Sequence, residues 1–168
     1  MVRLIYVFVV LRLLMKISNK TFLTAILVII CVFIDQISKL IILKNISFLS
    51  QGINIFWGLN IVYVQNRGVS FGLLSEFNIP FYLGILSLII SGYIVYLILK
   101  TKNKLEIIGL SLILGGALGN GYDRLVNGYV IDFIDIYFKK YHWPAFNFAD
   151  LFITLGAILF LIQILRNK

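Results

Sequence analysis

The chain has 168 residues, of which 61% are hydrophobic and only 13% are charged. So few charges exclude an ordinary soluble domain of this size and predict an integral membrane protein. The formal net charge of +8 comes from short groups of Lys and Arg at the ends of apolar runs, so we predict no nucleic-acid partner.

Four apolar segments are each long enough to cross the hydrocarbon core, which takes about 20 residues. They lie at about residues 21–43, 80–99, 105–123 and 148–165. We therefore predict one integral-membrane domain over residues 1–168, an all-α bundle of four transmembrane helices. Residues 1–14 have no small-residue cleavage site, which argues against a signal peptide. We interpret them as an N-terminal extension, which either results from an upstream start codon or is a short interfacial helix.

The Lys and Arg residues predict how the four spans are oriented. They are concentrated before the first span, between the second and third spans, and after the fourth. Because short cytoplasmic loops carry an excess of positive charge, these ends and both termini are predicted to be cytoplasmic. The two longer connections, residues 44–79 and 124–147, are then predicted to face outward.

The first outer connection has the composition of a β-hairpin. Two runs rich in Ile, Val and aromatic residues, 53–57 and 59–64, are separated at Gly58. This pattern predicts a small extracytoplasmic hairpin on the membrane surface. The next segment, residues 66–72, holds Asn66 and two glycines, and by itself it is equally consistent with a simple turn.

The third span carries small residues at helical spacing. Ser111, Gly115 and Gly119 are four residues apart, and Gly116 and Asn120 form a neighbouring stripe. Such stripes predict close helix packing. The stripe also carries the Asn120 amide into a helix contact, where it needs hydrogen-bond partners.

The candidate reagents are carboxylates. The chain has one histidine, His142, and one cysteine, Cys31, and it contains neither an HExxH nor a GxSxG motif. This excludes a His-based zinc site and a Cys-His nucleophile, and we predict neither a metal nor a cofactor.

Asp132 and Asp135 are three residues apart in a segment predicted to be extended, so their side chains should point to opposite faces. Asp132 shares its parity with Val130 and other apolar residues, whereas Asp135 shares its parity with two tyrosines and Lys139. We predict that only Asp132 faces the interior. An acid on an apolar face is a candidate for chemistry.

Asp150 opens the fourth span, three residues after Asn147. This spacing fits a capping box, and a structural role and a catalytic role can coexist there. Asp132 and Asp150 form a candidate pair that shares one proton, activates a water and protonates a leaving amine. We expect Asp150, at the positive end of a helix, to be ionised and Asp132 to hold the proton.

Two further acids have neighbouring cations. Asp35 and Lys39 are one turn apart inside the first span and can neutralise each other, and either a packing role or a direct role is open for Asp35. Asp123 is followed by Arg124 at the outer end of the third span, which favours a structural Asp-Arg arrangement. Arg124 could equally bind a lipid head group or a substrate carbonyl.

Five motifs in order resemble bacterial lipoprotein signal peptidase, also called signal peptidase II or prolipoprotein signal peptidase, an intramembrane aspartic protease. The resemblance covers nearly the whole chain after about Met15. The motifs are D-Q-I-S-K at 35–39, N-R-G-V-S-F at 66–71, G-G-A-L-G-N at 115–120 with Asp123-Arg124, V-I-D-F at 130–133, and F-N-F-A-D at 146–150. The chain departs from the family at Val69-Ser70, where two small residues are usual.

The resemblance implies a function and a set of site residues. Asp132 and Asp150 would be the catalytic pair. The substrate-binding residues would be Asn66, Asn120, Arg124 and Asn147. The supporting residues would be Asp35, Lys39 and Gly68. The family removes signal peptides from prolipoproteins just before a diacylglyceryl-modified cysteine, at the outer face of the bacterial cytoplasmic (inner) membrane. It is the target of globomycin, and we expect a monomer in contact with membrane lipids.

Two other classes of protein fit parts of the pattern. A small four-helix transporter also carries an intramembrane acid such as Asp35, but transport sites tend to lie near the bilayer midplane. A non-enzymatic scaffold explains the glycine stripes and leaves Asp132 without a role.

Overall fold

A computed structural model describes residues 18–49, 52–68 and 79–166. The predicted extension at residues 1–14 and the departure at Val69-Ser70 lie outside these ranges. In chain order the elements are α1 (Asn19–Lys44), α2 (Ile46–Leu49), β1 (Ile53–Phe56), β2 (Leu59–Asn66), α3 (Pro80–Lys100), α4 (Lys104–Val126), β3 (Val130–Phe138), β4 (Tyr141–His142) and α5 (Phe148–Arg166). Among the described residues, α1, α3, α4 and α5 are long and apolar enough to cross a membrane, which confirms the predicted four-helix bundle.

Local sequence sets both ends of α4. The side chain of Asn103 accepts hydrogen bonds from two backbone N–H groups of the first turn. At the other end Asn127 caps the helix, and Gly128 follows with φ +73°, a conformation that favours glycine. The helix therefore ends at Val126, and Asp123 lies inside its last turn, not at its end.

α4 is the central helix, and it contacts α1, α3 and α5. A Cβ atom on Gly115 would lie 2.5 Å from the Cβ atom of Cys31 on α1, and one on Gly119 would lie 2.6 Å from Oδ2 of Asp35. Gly116 faces the backbone of α5 in the same way. The predicted packing role of this stripe is confirmed, and the close approach brings Asp35 and the start of α5 against α4.

The strands form one antiparallel sheet in the order β1-β2-β3-β4. β1 and β2 are joined through Trp57 and Gly58, and Gly58 adopts φ +96°, so the predicted hairpin is confirmed. A bulge between Ile61 and Val64 interrupts the pairing of β2 with β3. The chain enters β3 from α4 and leaves β4 towards α5, which places the sheet at that end of the bundle.

The prediction that Asp135 faces outward is wrong. Four consecutive residues of β3, 130–133, are buried, because the sheet is covered on both sides where it meets the bundle. Ile131 and Phe133 pack in a core with the end of α1, and Asp135 has the same parity as they do. Asp135 is only 8% exposed, and its carboxylate accepts a hydrogen bond from Asn60 at 2.9 Å and lies 2.9 Å from Nδ1 of His142.

Candidate active site

A cavity of about 650 Å³ lies between β3 and the helices α3, α4 and α5. Most of its wall is apolar, with Leu86 and Ile90 from α3 and Ile113 from α4. Both Asp132 and Asp150 line it. The fold therefore brings two acids 18 residues apart in the sequence to one cavity.

The start of α5 orients Asp150. Its backbone N–H donates to Oδ1 of Asn147 at 3.0 Å, and its Oδ2 accepts from the backbone N–H of Asn147 at 3.3 Å. This reciprocal arrangement is the predicted capping box. The other oxygen, Oδ1, accepts from Nδ2 of Asn120 at 2.8 Å, so both carboxylate oxygens have donors.

Asp132 is held by two amide side chains. Its Oδ1 accepts from Nδ2 of Asn147 at 2.6 Å, and its Oδ2 accepts from Nδ2 of Asn66 at 2.9 Å. The carboxyl is 2% exposed. Burial, followed by the negative charge of Asp150, raises the pKa of Asp132 to about 6, although the two amide hydrogen bonds oppose this shift.

Asn147 connects the two acids. This side chain is fully buried, its amide nitrogen donates to Asp132, and its amide oxygen accepts from the backbone of Asp150. The nitrogen also lies 3.2 Å from Oδ1 of Asn120. One short side chain therefore fixes the start of α5 against β3.

A buried cation, Lys39, lies behind the acids. Its Nζ is 2.8 Å from Oδ2 of Asp35, 2.7 Å from Oδ2 of Asp123, and 2.9 Å from Oδ1 of Asn120, to which it donates. The predicted Asp35–Lys39 pair is confirmed. The predicted pairing of Asp123 with Arg124 is wrong, because the inward-facing side of α4 turns Asp123 towards α1.

Asp35 supports the start of α5 from α1. It is fully buried, and its Oδ1 accepts from the backbone N–H of Ala149 at 3.0 Å. It does not line the cavity. These contacts favour the packing role for Asp35 over a direct role in the site.

Arg124 links the cavity to the residues after β2. Its Nη2 donates to the carbonyl oxygen of Gly68 at 2.9 Å, and the backbone N–H of Gly68 donates to Oδ1 of Asn66 at 3.0 Å. Arg124 and Asn66 both line the cavity. Gly68, just after β2, is thereby tied to the residues around Asp132.

Two contributors to this region have no distinguishing signal in the sequence. Gln36 donates to Oδ2 of Asp35 and to Oδ1 of Asp123, each at 3.1 Å, and it was visible only as the neighbour of Asp35 in D-Q-I-S-K. Residues 143–146 form part of the cavity wall, held to β3 by hydrogen bonds between Ile134 and Phe146. That segment carries no pattern that distinguishes it from an ordinary connection.

The fold and this site define a multi-pass membrane enzyme with acids at the end of its helices. Residues 26–166 match the family model described as signal peptidase (SPase) II. The chain belongs to the signal peptidase II family and is an aspartic peptidase.

Relatives and solved structures agree with this assignment. The chain is 42% identical over 151 residues to the lipoprotein signal peptidase of Thermodesulfovibrio yellowstonii, covering 89% of this chain and 99% of the relative. It is 45% identical over 139 residues to that of Anaplasma phagocytophilum, covering 80% and 86%. A solved bacterial membrane enzyme, determined by the in meso method at 2.3 Å resolution, superposes with a TM-score of 0.77 at 33% identity, covering 86% of this chain and 88% of that one.

Proposed function

We propose that this protein removes the signal peptide from prolipoproteins by cutting just before a diacylglyceryl-modified cysteine, with Asp132 and Asp150 as the catalytic pair. The observation that carries the proposal is the position of Asn147, whose buried side chain contacts both acids at the edge of one cavity. The relatives are named lipoprotein signal peptidases, which supports the choice of substrate.

The chemistry is hydrolysis of one peptide bond. Asp150, at the N-terminus of α5, is the ionised member and takes a proton from water as the oxygen attacks the scissile carbonyl carbon. Asp132, whose pKa is raised to about 6 by burial and by the charge of Asp150, is the proton donor in this proposal and gives its proton to the leaving amine as the C–N bond breaks. The water's oxygen ends on the signal peptide's new carboxyl group, and the lipidated cysteine gains a free amino group. The proton taken up by Asp150 passes back to Asp132 and restores the starting state of the pair.

The residues around the two acids position them and bind the substrate. Asn66, Asn120 and Asn147 hold the acids in place with their amide groups, and Arg124 offers a guanidinium to a peptide carbonyl. Lys39, Asp35 and Gly68 support these residues from behind. The apolar wall from α3 and α4 accepts acyl chains or signal-peptide side chains, which need not leave an apolar environment.

The orientation follows from the charge distribution. We place the protein in the bacterial inner membrane with both termini in the cytoplasm and the cavity at the outer face. We expect globomycin-type inhibitors to compete for the cavity. One chain suffices for activity, because both acids and the side chains bonded to them come from the same chain.

The test is cleavage of a diacylglyceryl-modified precursor by the purified protein, compared with Asp132→Asn and Asp150→Asn. Each substitution should lower kcat by about 100-fold to 10,000-fold, because each removes one partner of the proton transfer. Asp135→Asn is the matched control, since Asp135 is equally an acid of β3 and is buried on the opposite face. Full activity of either pair variant, or loss of activity only with Asp135→Asn, would refute the assignment.

A further inference from the structure

The part of the sheet beyond the bundle has one apolar face. Directly opposed residues of antiparallel strands point to the same side, so Phe56, Leu59 and Ile136 share a face, as do Phe138 and Tyr141. Asp132 points to the same side of β3 as Ile136 and Phe138, because alternate residues of a strand share a face. The Asp132 side chain is covered by the bundle, whereas Ile136 (48%), Phe138 (57%) and Tyr141 (69%) are exposed. We call Phe56, Ile136, Phe138 and Tyr141 the apolar face.

The opposite face of the same strands is polar. Asn54, Asn60 and Asp135 are opposed to one another across β1, β2 and β3. Nδ2 of Asn54 donates to Oδ1 of Asn60 at 3.0 Å and to the hydroxyl of Tyr137 at 2.9 Å, and the Tyr137 ring stacks on His142. The sheet is therefore amphipathic, with hydrogen-bonded polar groups on one side and exposed apolar groups on the other.

The turn between β3 and β4 adds two positive charges at the edge of the apolar face. Nζ of Lys139 lies 5.6 Å from the ring centroid of Phe138, and Nζ of Lys140 lies 5.7 Å from that of Tyr141. Trp57 packs edge-to-face against Phe138 at 5.6 Å. Tryptophan, tyrosine and lysine side by side are typical of groups that lie at the boundary between lipid and water.

We propose that this overhanging half of the sheet rests on the bilayer beside the helices, with the apolar face in the acyl boundary and Lys139 and Lys140 bound to phosphate groups of anionic phospholipids. The direction follows from the chemistry of the two faces beyond the bundle. The exposed apolar side chains favour the acyl boundary, whereas the hydrogen-bonded polar groups on the other side favour water. The charge of the two lysines selects anionic head groups over neutral ones.

Tryptophan fluorescence tests the proposal without any catalytic readout. The chain has two tryptophans, so Trp143→Phe leaves Trp57 as the reporter. The full chain is placed in nanodiscs of phosphatidylcholine with increasing phosphatidylglycerol, and Trp57 emission is quenched either by lipids brominated near the head group or by aqueous iodide. We expect quenching by the brominated lipids to increase with phosphatidylglycerol, and quenching by iodide to decrease.

The variants separate the lysines from the fold of the turn. Lys139 has φ +56°, so Lys139→Asn removes the charge with a residue that tolerates this conformation, and Lys140→Gln removes the second charge. Each single substitution should raise by about fivefold the phosphatidylglycerol fraction that gives half-maximal quenching by brominated lipid. The reason is that one lysine strengthens binding to an anionic surface by a factor of about that size. The double variant Lys139→Arg with Lys140→Arg keeps both charges and should retain the response to phosphatidylglycerol.

Lys102 and Lys104 provide the matched control, since they are exposed and lie in and after the α3–α4 connection at the other end of the helices. Lys102→Gln with Lys104→Gln makes the same change in net charge and should leave the response intact. Quenching of Trp57 emission by iodide but not by brominated lipid would overturn the proposal. So would a phosphatidylglycerol response that survives loss of both Lys139 and Lys140, or one that is absent from the parent protein.

Discussion

Asp132 and Asp150 are chemically identical, and their surroundings differentiate them. Asp150 lies in the first turn of α5, where the helix dipole favours a negative charge. Asp132 lies on β3 at 2% exposure, and burial together with the charge of Asp150 raises its pKa to about 6. In the proposed mechanism, the shared proton is therefore assigned to Asp132.

This assignment predicts that kcat/KM falls as the pH rises through about 6, by about tenfold per pH unit beyond it, because kcat/KM reports the free enzyme and the proton donor is lost. The same proton affects stability. The folded protein keeps the proton up to about pH 6 and the unfolded chain only to 3.8, so the free energy of unfolding should fall by about 3 kcal/mol as the pH rises through this window.

Two measurements check the pH prediction. The first is the pH profile of kcat/KM, and the second is the pH dependence of unfolding in detergent for the parent and for Asp132→Asn, in which this contribution should be absent. A kcat/KM that stays constant from about pH 5 to about pH 8, or the same pH dependence of unfolding in Asp132→Asn as in the parent, would contradict the assignment.

At this scale, sequence predicts local pairs better than distant ones. The capping box of Asn147 and Asp150 depends on a spacing of three residues, and the structure has it as predicted. The surroundings of Asp135 depend on which elements cover β3, and strand parity carries no information about that. Strand parity singles out Asp132 only for a sheet with one exposed face, and here Ile131 and Phe133 of the other parity are also buried.

Among the elements, α1 supplies the support beneath the site. Lys39 bridges carboxylates of α1 and α4 and donates to Asn120, whose amide nitrogen in turn donates to Asp150. The bond from Lys39 fixes which end of the Asn120 amide faces Asp150. Glycine at 119 makes this possible, because a larger residue would displace Asp35.

We expect Lys39→Met to lower the free energy of unfolding by about 3–5 kcal/mol, since it leaves Asp35 and Asp123 as buried carboxylates without their cation. Activity should fall as well, because Asn120 is no longer oriented towards Asp150. Unfolding in detergent and precursor cleavage measure the two effects. Lys44→Met is the control, as Lys44 is an exposed lysine of the same helix.

A second variant separates charge balance from orientation. Lys39→Met combined with Asp123→Asn removes one of the two unpaired charges and should recover part of the stability, while cleavage remains low. Unchanged stability of Lys39→Met would contradict the prediction. The sequence predicted the Asp35–Lys39 pair, since it lies within one helix, but not the contact with Asp123, which depends on how α1 and α4 are rotated against each other.

At the scale of the whole molecule, the function depends on where the bundle and the sheet meet. The four helices were predictable because crossing a bilayer requires a length and composition that are visible in the sequence. The cavity was not, because its wall combines α3, α4, α5, β3 and the connection at residues 143–146. The cavity lies at one end of the helices. The orientation of the bundle therefore decides on which side of the membrane the cavity lies.

Cysteine labelling can measure the orientation of the bundle in the membrane. Cys31 is the single cysteine and is 2% exposed, so it should not react. Lys140→Cys, in the β3–β4 turn, should react with a membrane-impermeant maleimide on intact spheroplasts. Lys102→Cys, in the α3–α4 connection, should react only after the membrane is opened, because the lysines there mark a cytoplasmic loop. The reverse pattern would place the acids on the cytoplasmic side and refute cleavage at the outer face.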